Sequence, residues 1–407
     1  MTIKNLLAQQ LAIIKKKTAK IITEEELEKK FLLSFKNKKP LKIKLGIDPT
    51  APDIHLGFAL VLKKLRDFQN LGHQVILVIG DFTAKIGDPT GKNATRPILT
   101  DQEIKSNMKT YLKQIYKILD KNKTQIVYNS QWLKNLNLNQ LIEIFSKITL
   151  QKIIEREDFQ KRLKNNYPLY LQELIYPLIQ AYDSLYLKAD IELGGVDQEL
   201  NCLMGRELQT KFNQPAQIVI LMPLLIGLDG QNKMSKSLKN YISINDEPDK
   251  MFGLVMSLND QLIKSWFELV TDLDENEINN NLKLHPMEAK KRLAFEIVKQ
   301  YHGEKQARLA WEKFEAVFQR KNYNLLAKEI KIKKDWLTLP LVELLYRLGL
   351  VQSKSEIKRL IQQGGVEINH SSFKIEKDLN NFKIALNNGD LLRLGKKNFY
   401  KIIIEDK

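Results

Sequence analysis

The chain has 407 residues, with 65 Lys+Arg against 48 Asp+Glu, a net charge of +17 and 43% hydrophobic residues. That length suits two or three domains with a sizeable core, while no segment approaches the roughly 18 uninterrupted apolar residues of a membrane helix, and the single Cys202 excludes an internal disulfide or a Cys-based zinc site. A surplus of positive charge attracts polyanions, nucleic acid first, although the richness in Lys, Asn and Ile also fits drift in an A/T-biased coding sequence.

Met1–Thr23 carries no acid and is expected to form a basic amphipathic helix; its lack of Arg and Ser speaks against an organelle transit peptide. Leu41–Ile47 and Val75–Gly80 read as buried strands, and between them His55–Leu71 has helical periodicity that stops at Gly72. Helical stretches follow around 101–119 and 139–163, with strand patterns at Thr124–Tyr128 and Gln217–Met222. Such alternation predicts a parallel sheet covered on both faces. From about Glu247 helical, Lys-rich sequence is expected to run to roughly Lys334. Beyond Pro340 the pattern predicts a short helix at Leu341–Leu350 and a second at Ser353–Gln363, closed by Gly364-Gly365. Short strands then run from Val366–Asn369 to Leu391–Ile404.

Several segments have the residue types of a site. Gly46–Phe58 (GIDPTAPDIHLGF) joins a strand end to a helix start, where free backbone N–H groups favour phosphate. His55 in that turn either donates to a phosphate or simply caps the helix. Gly87–Arg96 (GDPTGKNATR) fails the P-loop spacing but offers Lys92 and Arg96 with no acid between them, as a phosphate-facing or merely solvated loop. Tyr176, Gln180 and Asp183 fall at i, i+4 and i+7 of an apolar helix, a stripe facing either a polar ligand or water. Gly194-Gly195-Val196-Asp197-Gln198, between a strand-like Leu187–Leu193 and the helix Glu199–Leu208, allows close backbone approach and a carboxylate for a ribose, or is a plain turn. After the turn at Asp229-Gly230 comes Lys233-Met234-Ser235-Lys236-Ser237. A chance match to KMSKS in a chain this long is on the order of one in a thousand. The five histidines show no HExxH-type spacing, so no structural metal is expected. Lys354, Lys358 and Arg359 share a helix face that suits RNA phosphates or solvent alike.

HLGF at His55–Phe58 followed by KMSKS at Lys233–Ser237 is the signature order of the class I aminoacyl-tRNA synthetases. The GDPTGKNATR, YxxxQxxD and GGVDQ segments resemble the bacterial tyrosyl enzymes, and Ser353–Asn369 looks like their terminal S4 RNA-binding module. Nearly the whole chain is covered. The resemblance implies an α/β, Rossmann-like catalytic domain over 1–246 with a helical insertion at about 100–190. A helical anticodon-side domain over 247–334 and an α+β S4-like domain over 340–407 would follow. It implies L-tyrosine, ATP with Mg²⁺ and tRNA(Tyr) as substrates, and a cytoplasmic homodimer with no membrane attachment or structural metal. Gly46, Asp48, Thr50, His55, Gly57, Gly195, Asp197, Lys233, Lys236 and Ser237 would meet ATP, with Lys92 and Arg96 closing on pyrophosphate. Asp88, Tyr176 and Gln180 would hold the tyrosine amino group, Gln198 the carboxylate side, and Asp183 the phenolic hydroxyl. Lys354, Lys358 and Arg359 would bind RNA. Three positions depart from the common pattern: Leu45 stands where some members have a polar residue, and Phe58 stands where His or Asn is usual, removing a polar contact to the nucleotide. Lys44 stands where many members have Tyr, although one branch carries Lys there. The Asp183 stripe and the tail disfavour a tryptophanyl enzyme, and KMSKS, the length and the basic tail disfavour a small-molecule nucleotidyltransferase; Phe58 favours an RNA-binding paralogue with a decayed site, against which stand the intact His55, KMSKS, Lys92 and Arg96.

Overall fold

The computed structural model describes residues 2–90, 99–319, 327–369, 371–372, 379–395 and 398–405. Two compact units divide the chain, Met1–Glu304 and Lys305–Lys407.

The first unit is built on six strands: β1 (Lys20–Ile22), β2 (Lys42–Ile47), β3 (Gln74–Ile79), β4 (Thr124–Tyr128), β5 (Ile191–Gly195) and β6 (Ile218–Met222). They lie in the order β1-β6-β5-β2-β3-β4. All neighbours run parallel except the edge strand β1, which pairs antiparallel with β6. The chain builds outward from β2 through β3 to β4, then returns to place β5 on the other side of β2. That reversal leaves a crevice beyond the carboxyl ends of β2 and β5, where open α/β sheets bind ligands.

Both faces of the central strands are buried, which is why β3 and β6 read as unbroken apolar runs. On one face Ile76 and Val78 pack on Trp132, Leu133 and Ile179. Helix Leu56–Asn70 follows β2, with His55 as its N-cap and Gly72 at φ 85° just past its end, a left-handed conformation that glycine adopts without strain. Helix Asp101–Ile115 opens with a Thr100–Glu103 capping box. The helices between β4 and β5 bring Ile144, Ile153, Phe159, Leu178 and Leu185 into a core that they share with Leu208 of helix Glu199–Lys211. Further along, Pro248–Met256 and Pro286–His302 each start with proline in the first helical turn, where its missing N–H costs nothing.

The basic N-terminal segment divides into a helix at Ile3–Lys15 and the strand β1, rather than forming one helix, because β-branched Ile21 and Ile22 complete the sheet against Ile220 and Val219. The stretch expected as a strand from Leu187 is shifted: the preceding helix runs to Leu187, Lys188 turns at φ 51°, and β5 begins at Ile191. No helix among the described residues is long and apolar enough to cross a membrane.

The second unit holds β7 (Lys328–Lys333), β8 (Val366–Ile368), β9 (Ser371–Ser372), β10 (Leu391–Leu394) and β11 (Asn398–Glu405), in the order β7-β11-β10-β8-β9. Helices Leu341–Arg347 and Lys354–Gln362 contribute Leu344, Leu345, Ile357 and Ile361 to a core shared with Val366, Leu392 and Ile402. The end of the Lys-rich stretch departs from the helical expectation. Its alternating KEIKIK sequence pairs parallel with β11 and turns Ile332 into the core.

Candidate active site

The crevice at the sheet's switch point is a cavity of about 410 Å³. Strand ends and the turns after them deliver its side chains, because every parallel strand points its carboxyl end the same way. From the β2 end come Gly46, Asp48, Thr50, His55 and Gly57; from the β5 end come Gly195, Asp197 and Gln198. Helix Leu171–Leu187 adds Tyr176, Gln180 and Asp183, and the loop after β6 adds Lys233, Lys236 and Ser237. Asp88 completes the set of described residues singled out above for ATP and tyrosine. Lys92 and Arg96 lie outside the described residues.

At the inner end, Asp183 is 3% exposed and accepts from Trp132 Nε1 at 2.8 Å and from Asn129 Nδ2 at 3.3 Å. Burial pushes its carboxyl up to about 7, against the opposing pull of the Lys44 charge and those two donors. Lys44 lies beneath the cavity, wholly buried, with Nζ 2.8 Å from Glu192 Oε1 on the neighbouring strand. It also donates to Ser184 Oγ at 2.7 Å and to the Gln180 carbonyl at 3.2 Å. Lys44 therefore anchors the helical turn that carries Asp183.

Around the middle, Tyr176 donates from its hydroxyl to Asp48 Oδ2 at 2.8 Å, and Thr83 donates to Asp48 Oδ1 at 2.7 Å. Burial and the neighbouring carboxylates raise the Tyr176 phenol well above its ordinary value, so it stays a neutral donor. Gln198 Nε2 reaches Asp88 Oδ2 at 2.8 Å, and Asn201 bridges Gln198 and Gln180. Carboxylates and amide oxygens dominate here, which is the lining an ammonium group needs. Gly80 permits this packing: a Cβ there would stand 1.9 Å from Asp48 Oδ1.

The outer end is basic. His55 Nδ1 accepts from the Phe58 backbone N–H at 3.2 Å. Burial, reinforced by the Lys236 and Lys233 charges, pushes the imidazole down to about 3. The ring is therefore neutral at pH 7, and with Nδ1 accepting, its one proton sits on Nε2 as a donor. Capping occupies one nitrogen of the ring and so does not exclude donation to a ligand from the other. Lys233 Nζ sits 2.5 Å from Asp197 Oδ2, and the Gly57 N–H points at Met234 Sδ at 3.4 Å, so the two signature loops touch. A Cβ on Gly57 would meet the His55 ring at 3.2 Å.

Thr83, Asn129, Trp132, Glu192 and Tyr111 are the residues that sequence reasoning misses. Asn129 and Trp132 follow the end of β4 by one and four residues, and a position just past a parallel strand's carboxyl end was the available signal. In the second unit Lys354 and Arg359 are exposed on their helix. Lys354 pairs with Glu343 Oε2 at 2.5 Å and lies 5.4 Å from the Tyr346 ring centroid.

A family model described as tRNA synthetases class I (W and Y) matches residues 36–319, and an S4 domain model matches residues 339–379. The chain is similar to a tyrosine–tRNA ligase of Aquifex aeolicus, 46% identical over 396 residues that cover 97% of this chain and 98% of that one. Similarity to the tyrosine–tRNA ligase of Carboxydothermus hydrogenoformans is 47% identity over 98% of both chains. A solved tyrosyl-tRNA synthetase complexed with L-tyrosine from Archaeoglobus fulgidus superposes with a TM-score of 0.60, over 75% of this chain and 99% of that one. At 24% identity that match speaks for the fold alone.

Proposed function

The chain belongs to the class I tRNA synthetases (W and Y), as a tyrosine–tRNA ligase with a terminal S4 domain, and from that membership we propose how its residues divide the work. The enzyme activates L-tyrosine with ATP to tyrosyl-adenylate and pyrophosphate, then transfers the tyrosyl group to the 3′ end of tRNA(Tyr). Tyrosine's carboxylate is already ionised at pH 7, so its attack on the α-phosphate needs no general base. Catalysis reduces to holding the reactants in line and stabilising charge as the bond from the α-phosphorus to the bridging oxygen breaks.

The phenol enters toward Asp183, which accepts its hydroxyl hydrogen. The amino group sits among Asp88, Tyr176 and Gln180, with Gln198 on the carboxylate side. ATP lies along Gly46, Asp48, Thr50 and Gly57, its ribose against Gly195 and Asp197. His55 donates from Nε2 to a phosphate oxygen. Lys233 and Lys236, with Ser237 beside them, neutralise the departing pyrophosphate. Lys92 and Arg96 join them on the strength of the family resemblance. Mg²⁺ arrives with ATP as part of the substrate.

The observation that carries this reading is the gradient within one cavity, from a buried carboxylate, through an acceptor-rich waist, to a basic rim at a helix N-terminus. It matches tyrosine and ATP laid end to end. The test is ATP–pyrophosphate exchange with tyrosine, phenylalanine or tryptophan supplied in turn. Exchange with tyrosine alone is expected; exchange with tryptophan, or none from folded protein, would overturn the reading.

The finer partners follow from the same membership. The S4 unit would hold tRNA phosphates through Lys354, Lys358 and Arg359. The protein would work in the cytoplasm as a homodimer, a reading supported by the exposed Leu138, Ile142, Leu150 and Leu171 on the insertion, which a second copy would cover. Sedimentation at micromolar concentration should report twice the chain mass.

A further inference from the structure

Helix Asp101–Ile115 contributes to the cavity in a way the steps above do not use. Asn107 donates from Nδ2 to the Pro49 carbonyl at 2.9 Å, and Thr110 from Oγ1 to the Pro52 carbonyl at 2.9 Å. Gln114, wholly buried, donates to the Pro52 carbonyl at 2.7 Å and accepts from the Ile54 backbone N–H at 2.7 Å. Positions i, i+3 and i+7 share a helix face, so one face fastens the loop that ends at His55 in three places. Tyr111 lies on the same helix, is 4% exposed and lines the cavity. Its hydroxyl accepts from Lys236 Nζ, and the ammonium lies 4.7 Å from the ring centroid. A single rigid helix thus holds both the loop that carries His55 and the second lysine of KMSKS.

We propose that Tyr111 is a positioning residue for tyrosine activation, holding the Lys236 ammonium beside His55 where the pyrophosphate departs. The proposal rests on the reading of Lys236 as a pyrophosphate ligand. A lysine is a point charge on a flexible four-carbon stem, so its use in a transition state depends on something restricting that stem. A phenol hydroxyl does this without neutralising the charge, whereas a carboxylate would weaken the field at the phosphate. A hydroxyl takes one of an ammonium's three donors, so the contact is compatible with another to a phosphate oxygen.

A double-mutant cycle on the full-length protein tests this, with ATP–pyrophosphate exchange measured for Tyr111→Leu, Lys236→Ala and the pair. Tyr111→Leu is expected to lower kcat roughly tenfold, the value of a lost hydrogen bond to a charged group, with the KM for tyrosine unchanged. In the Lys236→Ala background the same change should cost nothing further. Tyr111→Phe should lose about as much as Tyr111→Leu, since it keeps the ring but not the hydroxyl that accepts from Lys236. If the leucine variant does not fold, Tyr111→Met repeats the cycle under the same criterion. Additive losses, or a parallel rise in the KM for tyrosine and fall in melting temperature, would overturn Tyr111 while leaving the Lys236 assignment standing. Unchanged exchange in Lys236→Ala would overturn both.

Discussion

Asp183 combines a cost to the fold with the recognition role proposed for it. Its carboxyl, ordinarily near 3.8, is pushed up to about 7 by burial. With the folded value raised, the unfolded chain ionises first as pH rises from 4, so stability falls between pH 4 and 7 and then levels off. Asp183→Asn should therefore stabilise the ligand-free protein at pH 8, by at most ~4 kcal/mol, with the gain vanishing near pH 4; melting curves at the two pH values check it. Recognition runs the other way. Only the ionised carboxylate is a pure acceptor for the tyrosine hydroxyl, so kcat/KM for tyrosine should rise roughly tenfold from pH 6 to pH 8. A flat profile would mean another group receives the phenol. At the rim, Phe58 lines the cavity without a polar atom. Phe58→His should lower the KM for ATP about three- to tenfold, the value of one added hydrogen bond, and leave the KM for tyrosine alone; initial rates at varied ATP measure it.

Individual elements explain why part of this site is legible in the sequence alone and part is not. Short motifs announce His55, Asp197 and Lys233 because loops at strand ends need particular glycines and cations in a fixed order. The turn at Asp183 is legible because polar residues at i, i+4 and i+7 interrupt an otherwise apolar helix. What fixes those residues is not local. Tyr176 meets Asp48 across 128 positions, and Lys44 meets Glu192 across 148. A lone Trp132 or Tyr111 in a helix has no pattern to separate it from ordinary core. The strand β7 was hidden for another reason: its lysines fit a helical surface equally well, and only pairing with β11 decides between them. The segment between β4 and β5 is held by a pair nearer in sequence. Arg162 grips Glu173 through two contacts of 2.7 and 2.9 Å, both side chains almost fully buried. Glu173 opens the helix that carries Tyr176, Gln180 and Asp183. Arg162→Met alone should cost about 3–5 kcal/mol by stranding the carboxylate, whereas Arg162→Met with Glu173→Leu should recover most of it. Urea titrations of the three proteins decide it. Equal losses in the single and double variants would show that shape, not charge pairing, holds this helix.

For the molecule as a whole, the positive surplus and the division into two compact units predict that activation and RNA binding respond to different variables. Tyrosine activation depends on contacts among buried groups of the crevice, where added salt screens little. Binding of tRNA draws on phosphate contacts that release counterions, so its affinity should fall steeply with salt. Lys358 and Arg359 sit on the helix Lys354–Gln362 of the second unit. Replacing both with Glu should raise the KM for tRNA at least tenfold and reduce the slope of log affinity against log salt by about 1.5. The kcat for ATP–pyrophosphate exchange should stay unchanged. Lys354 is the less informative target, because it already pairs with Glu343 and its loss would also disturb the neighbouring helix. Nitrocellulose filter binding across a salt series, run beside exchange assays on the same preparations, separates the two responses. A double variant with an unaltered salt slope would place the tRNA contacts elsewhere on the basic surface. A parallel loss of exchange would mean that activation depends on this helix as well.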